Sequence, residues 1–349
     1  MQYILKHALQ IGSAGVIVLT FLAYLAPFVN PALFGWFAFF GTAFPWLLMG
    51  NVLLLIVWAS RRHRYALYHL GMLVLGWQHV TSFIGLGAGR PAVPADAITV
   101  ATHNAGGLFR GVQLEPEEWD DVIAAYARFW RERANPDILC LQETGRKFFL
   151  KLKPRLGLPY LFELERPGTA IFSRYPILRG GLLPFDEPEN TSMWADVQIG
   201  PRVVRIYNVH LQSNKVTYDT EHIVKEAPID SKDTWKEIGR VLRKVSRATA
   251  VRAQQAKTLR DLVAASPHPV ILCGDFNDTP TSYVYRQLSS GLTDTFREKG
   301  LGLGSTFAGA IPFLRIDYIL CDPTFNVYDC RVLRKGVSDH YGVVGVIGF

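Results

Sequence analysis

The chain has 349 residues, is 49% hydrophobic and carries a formal net charge of +7. Residues 1–90 contain no Asp or Glu and hold five of the 37 basic residues (Lys6, Arg61, Arg62, Arg64 and Arg90), which leaves 32 basic against 30 acidic residues in the remainder. The pI of 9.2 therefore belongs largely to the N-terminal region and is poor evidence for a nucleic-acid partner, and four cysteines are too few for a disulfide scaffold.

Between Lys6 and Arg61 there is no Asp, Glu, Lys or Arg, room for two membrane helices of about 20 residues each. Pro27, Asn30 and Pro31 break the run, giving helices near 9–29 and 33–59. A third uncharged run, Tyr65 to Gly89, is less apolar because it carries His69, Gln78 and His79. It predicts a third span near 65–87, with a re-entrant or interfacial helix as the alternative. A cleaved signal is disfavoured, because Pro27 follows Ala26 and further apolar runs come after. Arg61-Arg62-His63-Arg64 and Lys6 mark the cytoplasmic side by the positive-inside rule. Three spans would make a multi-pass inner-membrane protein whose chain after about Arg90 is extracytoplasmic.

The Gly- and Pro-rich stretch 85–94 reads as a linker. It divides a membrane anchor, 1–91, from a second domain, 92–349. Strand-like runs then recur at Ile98–Thr102, Ile138–Leu141, Thr169–Phe172, Trp194–Ile199, Val203–His210, Val270–Cys273, Arg315–Cys321 and Val343–Ile347. Helical patterns cover Glu115–Ala134 and Ser231–Ala265. Strands 194–199 and 203–210, joined by a turn at Gly200-Pro201, indicate an α/β fold with largely antiparallel sheets. Cys140 and Cys273 lie in apolar runs and read as core. Cys321 and Cys330 flank an expected hairpin turn, Asp322-Pro323-Thr324, and are able to pair in an oxidising compartment. Ser213 to Asp233 is polar. A basic amphipathic helix with Lys236, Arg240, Arg243, Lys244 and Arg247 follows, Trp235 on its apolar side. It reads as a solvated packing helix or as a cover facing substrate or membrane.

The strand exits carry the chemistry. Val270-Ile-Leu-Cys-Gly stops on Asp275-Phe-Asn277, and alternation would point both polar side chains to one side. A carboxylate and an amide so placed suit gripping a water and a phosphoryl oxygen. Ile-Thr-Val-Ala-Thr-His ends on Asn104, Leu-Gln on Glu143, and Tyr-Asn-Val on His210. Asp317 lies inside an apolar strand, and Ser338-Asp339-His340 closes the set. Each has a plain alternative: a turn cap, a helix-start anion, a salt-bridged strand residue. Six such groups near strand ends of one domain are hard to obtain from packing alone.

In this order the motifs His-Asn104, Leu-Gln-Glu143, Asn-Val-His210-Leu, Gly-Asp275-Phe-Asn277, Ile-Asp317-Tyr-Ile and Ser-Asp339-His340 resemble the endonuclease/exonuclease/phosphatase superfamily. That superfamily includes pancreatic deoxyribonuclease, AP endonucleases, neutral sphingomyelinases and inositol polyphosphate 5-phosphatases. The resemblance covers about 98–349 and implies a four-layer α/β sandwich of two mostly antiparallel sheets. It implies Glu143 as the main metal ligand, assisted by Asn104 and Asp339. Asp275 with Asn277 would orient or deprotonate the attacking water. His340, oriented by Asp317, and His210 would contact non-bridging oxygens or protonate the leaving group, the division between them left open. Hard oxygen ligands without a Cys/His cluster favour Mg²⁺ or Mn²⁺ over zinc. One departure is Met193, where the deoxyribonuclease branch has a glutamate supporting the first histidine. Arg174 reads as a turn stabiliser rather than a phosphate contact, and His103 as core.

The expectation is therefore a membrane-anchored, Mg²⁺- or Mn²⁺-dependent phosphoesterase acting on a phosphate ester of a membrane lipid or its head group. A nucleic-acid substrate and an inactive binding module are the alternatives. No protein partner is evident from the sequence.

Overall fold

With no charge and no proline between Lys6 and Ala26, the first apolar run forms one long helix, α1 (Gln2–Leu25), which Pro27 ends. The computed structural model describes residues 2–349 apart from 88, 90, 107–115, 165–167, 186–190, 215–230, 310 and 335–337. After α1 come α2 (Ala38–Thr42), α3 (Phe44–Ser60), α4 (Tyr65–Leu75) and α5 (Trp77–Phe83). Among the described residues one helix, Lys6–Phe28, is long and apolar enough to cross a membrane. The pair Gly35–Thr42 and Phe44–Ser60, bent by 47°, makes a second if counted as one span.

The third run does not form the single helix expected over 65–87. Gly76 separates α4 from α5, and a Cβ there would fall 2.0 Å from the Tyr24 hydroxyl. That hydroxyl donates to the Met72 carbonyl at 2.7 Å. The expected three-helix anchor thus reduces to one or two candidate spans.

The stretch read as a linker starts as a strand. β1 (Ile84–Leu86) pairs antiparallel with β11 (Leu301–Leu303). A Cβ on Gly85 would lie 2.3 Å from the Gly300 carbonyl, so glycine permits the approach. Three more contacts fasten the helices to the rest of the chain. Thr281 Oγ1 donates to the Gly41 carbonyl at 2.6 Å, Arg286 lies 4.4 Å over the Phe28 ring, and Arg315 donates to the Ser82 carbonyl at 2.8 Å. All fall at 26–43 or 82–87. The 17-residue α3 carries the chain about 25 Å away from that end, toward Arg61–Arg64.

Two six-stranded sheets follow. The first contains β2 (Ile98–Asn104), β3 (Ile138–Thr144), β4 (Tyr160–Glu163), β5 (Gly168–Ser173), β13 (Asn326–Leu333) and β14 (Gly342–Gly348), in the order β13-β14-β2-β3-β5-β4. The second contains β6 (Ile177–Leu182), β7 (Met193–Ile199), β8 (Arg202–His210), β9 (Val270–Asp275), β10 (Thr293–Asp294) and β12 (Asp317–Cys321), in the order β10-β12-β9-β8-β7-β6. Only β2–β3 and β8–β9 are parallel among the pairs described. Parallel neighbours need a long crossover, and these are α6 (Pro116–Arg133) and α8 (Lys232–Ala264). Helix α6 with α7 (Arg146–Leu156) covers one outer face. Helix α8 with α9 (Tyr283–Leu288) covers the other, and a short α10 (Thr295–Lys299) follows.

Both sheets are buried on two sides, which explains their near-continuous apolar strands. Ile138 and Cys140 face the sandwich interior with Val197, Ile206 and Ile271. Leu139 and Leu141 face Ile123, Trp130 and Phe149 beneath α6 and α7. Tyr207, Leu272 and Tyr318 face Ala256 and Leu259 of α8. Each such burial stabilises by about 1.5–3 kcal/mol. This is the four-layer α/β sandwich expected.

One local expectation fails. Cys321 ends β12 in the second sheet, whereas Cys330 lies on β13 in the first. Asp322–Thr324 therefore crosses between sheets instead of closing a hairpin. Both cysteines are buried free thiols, and Thr295 Oγ1 donates to Cys330 Sγ at 3.3 Å.

Candidate active site

The two parallel pairs decide where the polar groups meet. β2 and β3 end side by side at Asn104 and Gln142, and β8 and β9 end side by side at His210 and Asp275. An inter-sheet polar bridge joins the two pairs. Gln142 Nε2 donates to Thr102 Oγ1 at 3.0 Å and to Asn208 Oδ1 at 2.7 Å, and Asn208 Nδ2 donates to the Leu141 and Ala170 carbonyls. Buried polar groups of this kind hold two sheets in one register once satisfied. Both residues sit inside the quoted motifs, yet their pairing required the sheets to face each other.

Asp275 is the centre. It is 1% exposed; its Oδ1 accepts the Asn277 N–H at 2.8 Å, and its Oδ2 accepts from Asn104 Nδ2 at 3.0 Å and Asn277 Nδ2 at 3.2 Å. Asn277 reaches it from a turn with φ of +52°, not by strand alternation, and its amide also donates to the Leu211 carbonyl at 3.0 Å. Asparagine tolerates that conformation better than most residues. His210 Nε2 lies 3.7 Å from Asp275 and 3.3 Å from Glu143 Oε1, and His340 Nε2 lies 3.9 Å from Asp275. Behind His340, both Asp317 oxygens face Nδ1 at 3.0 and 3.2 Å. Asp317 is held in turn by its backbone N–H, which donates to Thr306 Oγ1 at 3.0 Å.

Glu143 sits on a bulge, where the β3–β5 register shifts, with φ of +57°. Such a backbone costs about 1–3 kcal/mol in a non-glycine residue and persists only where its surroundings enforce it. Here the bulge turns the side chain toward Asn104 and His210. A Cβ on Gly106 would lie 2.1 Å from Glu143 Oε2, so glycine leaves room for the carboxylate.

Burial first and the Asp317 charge second push Asp275 up to about 6, against the pull of His340, His210 and Asn104. For His340, burial works against the charge. The Asp317 and Asp275 carboxylates outweigh it and push the imidazole up to about 10. The residues fit a divalent cation. Glu143, His210 and Asp275 form one group, and Asp275, Asp317 and His340 another, with all ligand atoms in each within 4.8 Å. Three carboxylates so close in a buried site call for positive charge, and their hard oxygens suit Mg²⁺ or Mn²⁺.

Of the expected ligands, Glu143 belongs to the first of these groups. Asn104 presents its nitrogen to Glu143 Oε1 at 2.9 Å while its Oδ1 accepts from Gly106. Ligation through Oδ1 would therefore ask the amide to turn over. Asp339 lies beside the site, where its carboxylate accepts from Ser338 Oγ at 3.3 Å, and it belongs to neither cluster. Met193 is fully buried, and beside it Ser192 Oγ accepts the backbone N–H of His210 at 2.9 Å. His103 points away, with Nδ1 2.7 Å from the Tyr126 hydroxyl, and burial lowers it to about 4. Arg174 pairs with Asp137 at 2.7 Å, at the strand ends opposite the site.

Sequence reasoning missed Arg252, on α8. It is 2% exposed, pairs with Asp278 at 3.3 Å and donates to the Gln212 carbonyl at 2.8 Å. It ties α8 to the segments just after His210 and Asn277. The basic residues Lys236, Arg240, Arg243, Lys244 and Arg247 are exposed, as is Trp235. Most of the polar stretch before them, 215–230, lies outside the described residues.

Sandwich and site together define a divalent-metal-dependent phosphoesterase. The model of the Endonuclease/Exonuclease/phosphatase family matches residues 101–340, and the chain belongs to that family. A separate domain of unknown function matches residues 6–83. No curated protein matches the chain. Among solved structures it is similar to humanized TDP2 of D. rerio carrying 14 mutations, at 16% identity and a TM-score of 0.53, over 73% of this chain and 100% of that one. It is also similar to D. rerio TDP2 complexed with a single strand DNA product (16% identity, TM-score 0.49, 72% and 99% covered). A third is an endonuclease/exonuclease/phosphatase from Beutenbergia cavernae (20% identity, TM-score 0.49, 72% and 71% covered). At such identities the likeness is one of fold.

Proposed function

We propose that the chain hydrolyses a phosphate ester by attack of water at the site formed by Asn104, Glu143, His210, Asp275, Asn277, Asp317, Asp339 and His340. The observation that carries this reading is Asp275, a buried carboxylate shared by both clusters and flanked by two histidines. Glu143 would hold Mg²⁺ or Mn²⁺, with Asn104 and Asp339 assisting; when bound, the ion neutralises charge on a non-bridging phosphoryl oxygen. Asp275, fixed by Asn104 and Asn277, orients the water and takes its proton, a task suited to a carboxylate raised toward neutrality. His340, kept charged by Asp317, meets the phosphoryl oxygens as a fixed donor. His210 is the remaining acid for the leaving group.

The family relationship favours a nucleic-acid phosphodiester, and the exposed cations of α8 offer such a strand contacts. A membrane-borne ester is favoured by one feature of this chain. The segment carrying Thr306 and Phe307, which touch Asp317 and His340, continues directly from β11 on the N-terminal helices. This second reading places α1, and the α2–α3 pair, in a membrane.

The test is purified full-length protein with Mg²⁺ on single-stranded and duplex oligonucleotides, phospholipid vesicles and bis(p-nitrophenyl) phosphate, each with EDTA controls. Metal-dependent turnover lost in His340→Ala supports the reading. Turnover indifferent to EDTA and to His340→Ala refutes it.

A further inference from the structure

The junction between the N-terminal helices and the catalytic sandwich contains a groove of about 270 Å³. Leu48, Val52 and Phe83 form one wall, from the region matched by the domain of unknown function. Leu303, Ser305 and Phe313 form the other, from the family match. Ser305 is the one polar side chain among these six, and none is charged. From Ser305 the chain reaches Phe307 in two residues, at most about 7 Å. Phe307 bridges His340 through its backbone and sets its ring 5.4 Å from the imidazole. Between them, Thr306 Oγ1 accepts the N–H groups of Ile316 and Asp317. The groove therefore adjoins the catalytic histidine along a short, hydrogen-bonded connection.

Farther along α3, Leu53 and Ile56 are 55% and 60% exposed. That surface continues the apolar belt of the candidate spans, and with those spans in a membrane, as in the membrane-borne reading above, it would meet hydrocarbon. We propose that the groove binds the hydrocarbon chain of a membrane amphiphile whose phosphate ester lies at Asp275 and His340. The inference rests on the phosphoesterase reading of the site and gives its membrane-borne form a chemical class. A nucleic-acid strand fits less well: it brings a negative charge at each phosphate and needs cations along its path. This groove has none, whereas an alkyl chain gains from every methylene it removes from water. The similar TDP2 structure is spanned in full by 73% of this chain, so the rest of this chain has no counterpart there.

The experiment uses full-length protein in phosphatidylcholine nanodiscs with Mg²⁺ and two soluble esters, methyl and octyl p-nitrophenyl phosphate. Groove binding predicts a KM at least tenfold lower for the octyl ester. Val52→Trp, which fills the groove, should shrink that ratio below threefold. Val18→Trp, on the exposed face of α1, should leave it. A ratio that survives Val52→Trp reflects partition into the disc and overturns the proposal, as does equal KM for both esters. A diazirine-bearing octylphosphonate supplies a readout independent of turnover. Labelling concentrated in 45–53 and 303–313 supports the groove even if neither ester is hydrolysed, which would instead count against the phosphoesterase reading. Labelling spread evenly over the helices refutes the groove, and so does a single-stranded oligonucleotide that displaces the label from it.

Discussion

Arg315 couples the N-terminal helices to the catalytic sandwich, and replacing it with methionine isolates that coupling. The side chain is 1% exposed. Its guanidinium donates to Asp294 Oδ1 at 2.5 Å and to the Ser82 carbonyl at 2.8 Å, and it lies 4.7 Å over each of Phe296 and Tyr318. Methionine keeps much of the volume and removes both donors. Breaking a buried ion pair from one side costs about 3–5 kcal/mol. Asp294 retains the Tyr285 hydroxyl at 2.6 Å and two backbone N–H groups at the start of α10, which sets the expectation near 3 kcal/mol. Arg315 lies two residues before Asp317, and its carbonyl accepts the Tyr318 hydroxyl at 2.7 Å. We therefore expect kcat to fall severalfold as His340 loses its fixed partner. The assay is denaturant unfolding of full-length protein in detergent, run as a double-mutant cycle with Asp294→Asn. The double variant should lose at least 1 kcal/mol less than the sum of the singles. Arg315→Met within 1 kcal/mol of the parent, or an additive cycle, refutes the coupling.

Four further outcomes are expected. Glu143→Ala and Asp275→Asn should each lower kcat by about 10²–10⁴-fold with unchanged circular dichroism, and EDTA should abolish turnover; an active EDTA-treated enzyme contradicts the mechanism. Gly106→Ala should behave almost like Glu143→Ala, because its Cβ would lie 2.1 Å from Glu143 Oε2, and a titration showing undiminished Mg²⁺ activation would sink that argument. In metal-free protein Asp275 is raised from 3.8 to about 6, so the folded state keeps a proton there that the unfolded chain has released. Stability at that site then falls as pH rises through this window, Asp275→Asn should remove the slope, and a parent that gains stability there relative to the variant refutes the assignment. Finally, reporter fusions after residue 62 and after 349 should report opposite compartments if Arg61, Arg62 and Arg64 stay cytoplasmic; the same compartment for both rules out that topology.

Much of this was legible before the fold was known. Strand runs such as 138–141 and 270–273 are apolar over their whole length because they are buried on both faces, a property local sequence records. The polar residues ending them are equally visible, since a carboxylate after such a run has few local reasons to be there. The apolar, acid-free N-terminal region and the α8 helix, expected over 231–265 and found over 232–264, follow from composition and period alone.

The arrangement around those residues was decided by tertiary contacts. Asn277 reaches Asp275 from a left-handed turn, and Glu143 is aimed by a bulge that depends on β5 pairing beside it. The third apolar run breaks at Gly76 because Tyr24, more than fifty residues earlier, occupies the space a side chain would need. The Gly-rich stretch after Phe83 reads as a linker by composition, yet a partner strand at 301–303 makes part of it a sheet. Arg252 and Arg315 look like ordinary surface cations until Asp278 and Asp294 are brought against them. In each case the sequence by itself determined which residues prefer burial or carry charge. Which partner meets them is set by segments distant in the chain, and only the folded sandwich brings those together.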